Sequence, residues 1–343
     1  MYSRKWIRMI EAAIVLLMIL LFISGAQLFL NISPENEEVE HTEDEELIVV
    51  GFSQIGSESV WRTANTVSVQ NALTKENGYF LIFENARQKQ ENQIKAIRGF
   101  ISQRVDYIVF SPVTEDGWDT VLQEAKDAEI PVILVDRKIS AGSSDLYTTW
   151  IGPDSRAEGE KAGNWLEEYL IGTGRAEEEI NIVVLQGTEG SSAQLGRTMG
   201  FDSIADKHKN WNILEQANAD FTTAKGEEVM RQLLKEYPDI DVVVSQNDDM
   251  TFGAMAALEE AGLTTGVDGD VILISFDAVY DALKLVEEGL INVDIECNPK
   301  QGAYIEEVIQ MIEKGEVTEK EYLVEERVFT KENVTFFMND RSY

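Results

Sequence analysis

Cysteine, histidine and positive charge are scarce in this chain, and each scarcity removes a class of function. The single cysteine, Cys297, leaves no intrachain disulfide to form. With only His41 and His208, neither a His-rich metal centre nor a His-based triad is expected. Lys and Arg number 29 against 62 Asp and Glu, a net charge of −33 and a pI near 4.3. Phosphate backbones need a basic surface, so nucleic acid is excluded as a partner. The phosphate-cradling motifs are missing too. No G-x-G-x-x-G follows a strand and there is no G-x-x-x-x-G-K-[ST]; Gly172-Thr173-Gly174 lacks the third glycine and follows a helix. Without a G-x-S-x-G elbow, an α/β-hydrolase nucleophile is also unsupported. Carboxylates are abundant, so counting alone leaves a glycosidase pair open. No cofactor or metal is expected, and the chain reads as a binding protein rather than an enzyme.

The amino terminus is of a different kind from the rest. Arg4, Lys5 and Arg8 precede Ala12–Leu30, nineteen residues interrupted only by Ser24, Gly25 and Gln27. That length spans a bilayer, and the basic flank keeps the first residues in the cytoplasm. Residues 1–30 are thus either an uncleaved transmembrane anchor or a signal peptide cut at Ser24-Gly25-Ala26. Pro34–Glu46 carries eight acidic residues and no basic one, so residues 31–46 read as a self-repelling, disordered spacer.

From Leu47 onward, short β-branched apolar runs alternate with amphipathic helical patterns. The runs predict strands at Glu46–Phe52, Tyr79–Asn85, Tyr107–Phe110, Val132–Val135, Thr148–Ile151, Ile180–Leu185, Trp211–Ala217, Val242–Ser245 and Val271–Phe276. Continuous apolarity marks strands covered on both faces, and βαβα alternation gives parallel, doubly wound sheets. The units are too many for one open sheet of ordinary size, so two lobes with a ligand cleft between them are expected, the first crossing lying near Tyr147–Asp154.

Polar residues recur where strands end. Gly51-Phe52 leads into Ser57, Glu58, Ser59, Trp61 and Arg62; Val135 into Asp136-Arg137; Leu185 into Gln186–Gly190, with Arg197 beyond; Ser245 into Gln246–Asp249; Ser275 into Phe276-Asp277. Ligands of open α/β sheets bind outside the carboxyl ends of strands. Carboxylates, amides and guanidinia can bond vicinal hydroxyls two at a time, and an indole can cover an apolar C–H face. Glu58, Trp61, Arg62, Asp136, Arg137, Arg197, Asn247 and Asp277 therefore fit a polyol pocket. Each has a plainer reading. Trp61 at a helix start is more often core, Asp136-Arg137 reads equally as a surface ion pair, and a helical Arg197 is usually solvated. Asp248 or Asp249 is expected to cap the next helix. Cys297 reads as an inert small buried residue.

Longer stretches carry a resemblance. VGFSQIGSESVWR (50–62), RQKQENQIKAIRGFISQRVDYIVFSPV (87–113), GWDTVLQEAKDAEIPVILVDR (117–137), LQGTEG (185–190), SQNDDMTFGAMAALEEAGL (245–263) and SFDAVYDA (275–282) resemble the sugar-binding proteins of bacterial ABC importers. The type is the ribose-binding one, and its galactofuranose-binding branch is the nearest. The resemblance implies two Rossmann-like lobes joined by three crossing strands: 47–152 plus 297–323, and 153–296 plus 324–343. It implies an extracytoplasmic, monomeric receptor that closes on a monosaccharide, galactofuranose or a related hexose, and presents it to a permease. The alternative partner is a membrane sensor kinase, and the apolar run 12–30 implies membrane attachment. By position, Trp61 and Arg62 stand where the family lays side chains against the sugar, and Glu58 or Ser59 at the polar position before them. Asp136 and Arg137 match its Asp-Arg pair, Arg197 its second-lobe arginine, Asn247 its N-D-[DE] asparagine, and Asp277 its last-strand aspartate. Glu296 falls near a polar ligand residue at the second crossing. Arg62 in place of an aromatic argues against ribose.

Overall fold

The computed structural model describes Leu47–Tyr343 together with residues 6, 9, 13 and 16–18. Among the described residues, no helix is long and apolar enough to cross a membrane. The anchor expected at 12–30 and the spacer at 31–46 lie almost wholly outside them.

The alternation seen in the sequence becomes two sheets. The first contains β1 (Ile48–Gln54), β2 (Tyr79–Asn85), β3 (Tyr107–Phe110), β4 (Val132–Val135), β5 (Thr149–Gly152) and, from far along the chain, β11 (Glu321–Leu323). Its order is β11-β5-β4-β3-β1-β2, parallel throughout. The second contains β6 (Ile180–Gln186), β7 (Trp211–Asn218), β8 (Val242–Ser245), β9 (Ile272–Asp277), β10 (Val293–Glu296) and β12 (Val328–Thr330). Its order is β12-β10-β9-β8-β6-β7, parallel except for β12 against β10. The chain changes sheet after β5, returns after β10 and crosses again after β11.

Helices cover both faces of each sheet. They are α1 (Val60–Ala72), α2 (Gln90–Gln103), α3 (Asp119–Asp127), α4 (Ser155–Gly172), α5 (Ser192–Ala205), α6 (Thr223–Glu236), α7 (Asp248–Glu260), α8 (Tyr280–Glu288) and α9 (Gly302–Glu313). Side chains alternate faces along a strand, so one strand feeds two cores. In β6, Val183 and Leu185 pack with α6, α7 and α8, while Ile182 and Val184 pack with α4 and α5. In β4, Ile133 and Val135 face α1 and α9, while Val132 and Leu134 face α2 and α3.

Strands β10, β11 and β12 have no counterpart in the sequence pattern. β10 reads Val-Asp-Ile-Glu, yet all four residues are buried, so its acids mask it as a polar segment. β11 and β12 are three-residue edge strands, too short to show a period.

In each sheet the strand order reverses beside the first strand of the lobe, between β1 and β3 and between β6 and β8. Adjacent connections leave such a switch point in opposite directions and open a crevice at the carboxyl ends of the strands.

Candidate functional site

The two crevices face each other. Between them lies a small cavity of about 30 Å³, lined by Glu58, Ser59, Trp61, Arg62, Asp136 and Arg137 from the first lobe, by Ala193, Arg197, Phe221, Asn247 and Asp277 from the second, and by Cys297. The lobes touch around it. The Val60 N–H donates to Asp249 Oδ2 at 3.2 Å, the Lys138 N–H to Ser192 Oγ at 2.8 Å, and the Glu115 N–H to the Gly190 carbonyl at 3.0 Å.

The first wall is set by a helix start. Ser59 caps α1 by accepting from the Arg62 N–H at 3.0 Å. The cap fixes the first turn, so Trp61 and Arg62 both point into the cleft. The Trp61 indole N–H donates to the Cys297 carbonyl at 2.5 Å, and the ring packs among second-lobe residues including Ala193 and Phe221. The Arg62 guanidinium lies over that ring at 4.7 Å. It sits between two carboxylates, 3.1 Å from Glu58 Oε1 and 2.7 Å from Asp136 Oδ2. Burial alone would lower its pKa, but Asp136 and Glu58 more than offset this and hold it above the ordinary value. Gly56 leaves room for the Glu58 carboxylate, since a Cβ there would lie 2.5 Å from Oε2.

Among the described residues, Arg137 has no such carboxylate partner. Its Nη1 donates to the Val113 carbonyl at 2.9 Å, and its guanidinium lies 5.3 Å from the Phe221 ring of the opposite lobe. Burial, then repulsion from Arg62, pushes its pKa down to about 10 despite Asp136 and Glu58. Arg137 Nε and Glu58 Oε2 are buried and have no hydrogen-bond partner among the described residues. A donor and an acceptor thus stand ready on one wall.

On the second wall, Arg197 Nε donates to Glu158 Oε2 at 2.7 Å, its Nη1 donates to the Gln246 carbonyl, and its Nη2 lies 3.5 Å from Asp277 Oδ1. Burial would lower the Arg197 pKa, but Glu158 and Asp277 help hold it well above normal. Asp277 is pushed up by its own burial, which outweighs an arginine beyond close hydrogen-bonding range. The lining carries three guanidinia and three carboxyl groups, so its formal charges cancel.

Backbone strain clusters here. Asp136 (φ 62°), Phe221 (φ 58°), Asp277 (φ 108°) and Ala278 (φ 59°) are non-glycine residues in the left-handed region. Each such conformation costs ~1–3 kcal/mol and persists only where surroundings enforce it. The last turn is enforced by two buried aspartates. The Ala278 N–H donates to Asp294 Oδ1 at 3.1 Å and the Val279 N–H to Asp248 Oδ2 at 2.8 Å.

Residues 50–316 match the family model described as a periplasmic binding protein domain. The chain belongs to this family. It is 40% identical over 277 residues to the galactofuranose-binding protein YtfQ of Escherichia coli (strain K12), covering 80% of this chain and 85% of that protein. A Mycobacterium smegmatis protein solved in complex with β-D-fucofuranose is 40% identical, with a TM-score of 0.81 over 85% of this chain and 94% of the other. A third likeness is the arabinose ABC transporter binding protein of Shewanella sp. ANA-3, bound to α- and β-L-arabinofuranose. It is 40% identical, with a TM-score of 0.79 over 85% and 95% of the two chains. The Escherichia coli and Shewanella relatives are both named as binding proteins.

Within this periplasmic binding protein, Glu58, Ser59, Trp61, Arg62, Asp136, Arg137, Arg197, Asn247 and Asp277 meet at the cleft, while Glu296 does not. Glu296 lines a separate cavity, where Oε1 accepts from Arg341 Nη1 at 2.8 Å and Oε2 from the Arg327 N–H at 3.0 Å. Side chains alternate sides on extended chain, so Cys297 takes the cleft side and Glu296 the other. Cys297 is buried as expected, but it lines the cleft. The cap of α7 is Asn247, whose Oδ1 accepts from the Met250 N–H at 2.9 Å, and not Asp248 or Asp249. Phe221 escaped sequence reasoning although it obeys the same strand-end habit, lying three residues beyond β7.

Proposed function

We propose that this protein is an extracytoplasmic receptor of an ABC importer that binds a monosaccharide in its furanose form, galactofuranose or a close relative, between its two lobes. The observation that carries the reading is the pair of buried, unpartnered atoms Glu58 Oε2 and Arg137 Nε in a wall whose formal charges cancel. A neutral polyol fits this wall. Its hydroxyls donate to the carboxylate and accept from the guanidinium, bonds that gain strength because one partner is ionised. A sugar phosphate or acid would add uncompensated charge. Trp61 and Phe221 supply apolar surfaces for the ring's C–H faces. The furanose form is supported by what the three relatives are named for binding.

The same two atoms make closure depend on sugar. Burying an unsatisfied polar group costs ~1–3 kcal/mol, and more when it is charged. Lobes closing without sugar bear this penalty at Glu58 and Arg137; a sugar removes it and so shifts the population toward the closed form. The closed form then offers one composite surface to a permease. The amino-terminal apolar run would tether the receptor outside the cytoplasmic membrane, with the acidic spacer between. Alkaline carbonate extraction of cell membranes distinguishes a tethered receptor from a released one.

A thermal-shift screen with L-arabinose, D-fucose and D-galactose, each of which equilibrates between ring forms in water, tests the reading. At least one should raise Tm, and Glu58→Gln should abolish the rise while moving the unliganded Tm little. An equal rise in the variant, or none with any sugar, would refute it.

A further inference from the structure

Behind the sugar cleft, three chain segments meet at an acidic pair that the cleft chemistry does not explain. Glu158, on α4, is fully buried. Glu326 lies on the last crossing between the sheets, its side chain 3% exposed. Their carboxylates and Cys297 Sγ lie within 4.8 Å of one another. Glu158 uses Oε2 for Arg197, and Glu326 Oε2 is 3.9 Å from Lys161 Nζ. The remaining oxygens, Glu158 Oε1 and Glu326 Oε1, are both buried with no hydrogen-bond partner among the described residues. The helix crossing holds this arrangement in place. Gly159 and Gly200 let α4 and α5 touch, since a Cβ at either would fall 2.2 Å from the Arg197 carbonyl or 2.1 Å from that of Arg156. Glu158 therefore has little room to turn away from Arg197.

Two carboxylates so close in a buried site do not both ionise; one proton between them satisfies both orphaned oxygens. We propose that Glu326 is a positioning residue: as the neutral acid it donates to Glu158 Oε1 and, through that carboxylate, fixes the Arg197 guanidinium in the sugar cleft. The hinge segment is thereby tied to a ligand-facing side chain, and sugar affinity depends on a residue that never touches sugar. Burial, and next the charge of Glu158, drives the Glu326 pKa up, while Lys161 and Arg197 oppose this. A divalent metal held by the same groups is the competing occupant. With Glu326 protonated the pair carries one negative charge, which Arg197 already balances, and the Cys297 thiol is held well above its ordinary pKa, first by burial.

The proposal rests on the sugar-receptor reading for its effect on affinity, but its proton and its hold on Arg197 can be read without sugar. Wild type at pH 7 should show the infrared C=O stretch of a neutral carboxyl that Glu326→Gln lacks. In ¹⁵N spectra, the Arg197 Nε–H resonance, assigned by its loss in Arg197→Lys, should survive in Glu326→Gln and vanish in Glu326→Ala. D-galactose affinity should fall at least ~10-fold in Glu326→Ala and stay within ~3-fold in Glu326→Gln, whose amide still donates. Glu326→Ala that keeps both the resonance and the affinity would overturn the proposal. So would stoichiometric Zn²⁺ binding that EDTA reverses and Cys297→Ser abolishes. If wild type gives the infrared and ¹⁵N results but ignores D-galactose and the other sugars, the receptor reading fails and the positioning role of Glu326 stands.

Discussion

Replacing Arg137 by Met should close the protein without sugar and at the same time stop it binding sugar. The guanidinium drops from an ordinary value of ~12.5 to about 10 when both lobes surround it. Arg62, Asp136 and Glu58 act within the same lobe and cancel, so burial by the second lobe and the charge of Arg197 leave ~2–3 kcal/mol disfavouring the charged side chain in the closed cleft. Its hydrogen bond to the Val113 carbonyl lies within one lobe and is kept whether the lobes are open or closed, so it cancels. The contact with the Phe221 ring crosses the cleft and is lost, a loss of ~1 kcal/mol. Met fills similar space and keeps the apolar part of that contact. The balance favours closure by ~1–2 kcal/mol, or ~5–30-fold in the open–closed equilibrium, allowing for partial burial in the open form. Small-angle scattering and a spin-label distance between the lobes should both show a more compact Arg137→Met protein than wild type in sugar-free buffer. Adding sugar should compact wild type only. A variant as open as wild type without sugar, or one that still binds sugar normally, would refute the argument that unpaired Arg137 holds the cleft open.

Two further outcomes follow from the same geometry. Burial raises the Asp249 pKa to about 6, with Glu58 adding to it, against the Val60 and Thr223 hydrogen bonds. A carboxyl raised by folding favours the closed form most at low pH and loses that contribution as pH climbs through about 6. Calorimetric sugar affinity should therefore be ~3–10-fold tighter at pH 5 than at pH 7.5, and Asp249→Asn should flatten the profile; a wild-type profile already flat would exclude Asp249 from closure. Gly187→Ala would place a Cβ 1.8 Å from the Phe221 ring. Moving that ring should lower stability by ~1–3 kcal/mol in urea denaturation and weaken sugar binding, whereas unchanged values for both would show that Phe221 is not a fixed wall.

Much of the cleft was legible because its residues sit at strand ends. Asp136 directly follows an apolar run, Asp277 closes one and Asn247 lies two residues beyond β8, and such runs are read from β-branched composition alone. Pattern could not say which side of the second crossing faces the ligand. Glu296 and Cys297 are adjacent, and only the placement of Arg341 and Arg327 shows that the glutamate is already satisfied elsewhere. Nor could it show that Trp61, a first-lobe residue, is packed in the second lobe's core.

By itself, then, the sequence determined the alternation of elements, the parallel sheets they form and the strongly negative net charge, because period and charge are properties of the chain. The tertiary structure decided which polar atoms are left without partners. Among the described residues, Glu58 Oε2 and Arg137 Nε, like Glu158 Oε1 and Glu326 Oε1, are left without partners because particular neighbours took their companion atoms and the fold buries them. Hydrogen-bond satisfaction belongs to a constellation of residues distant in sequence, and no single segment encodes it.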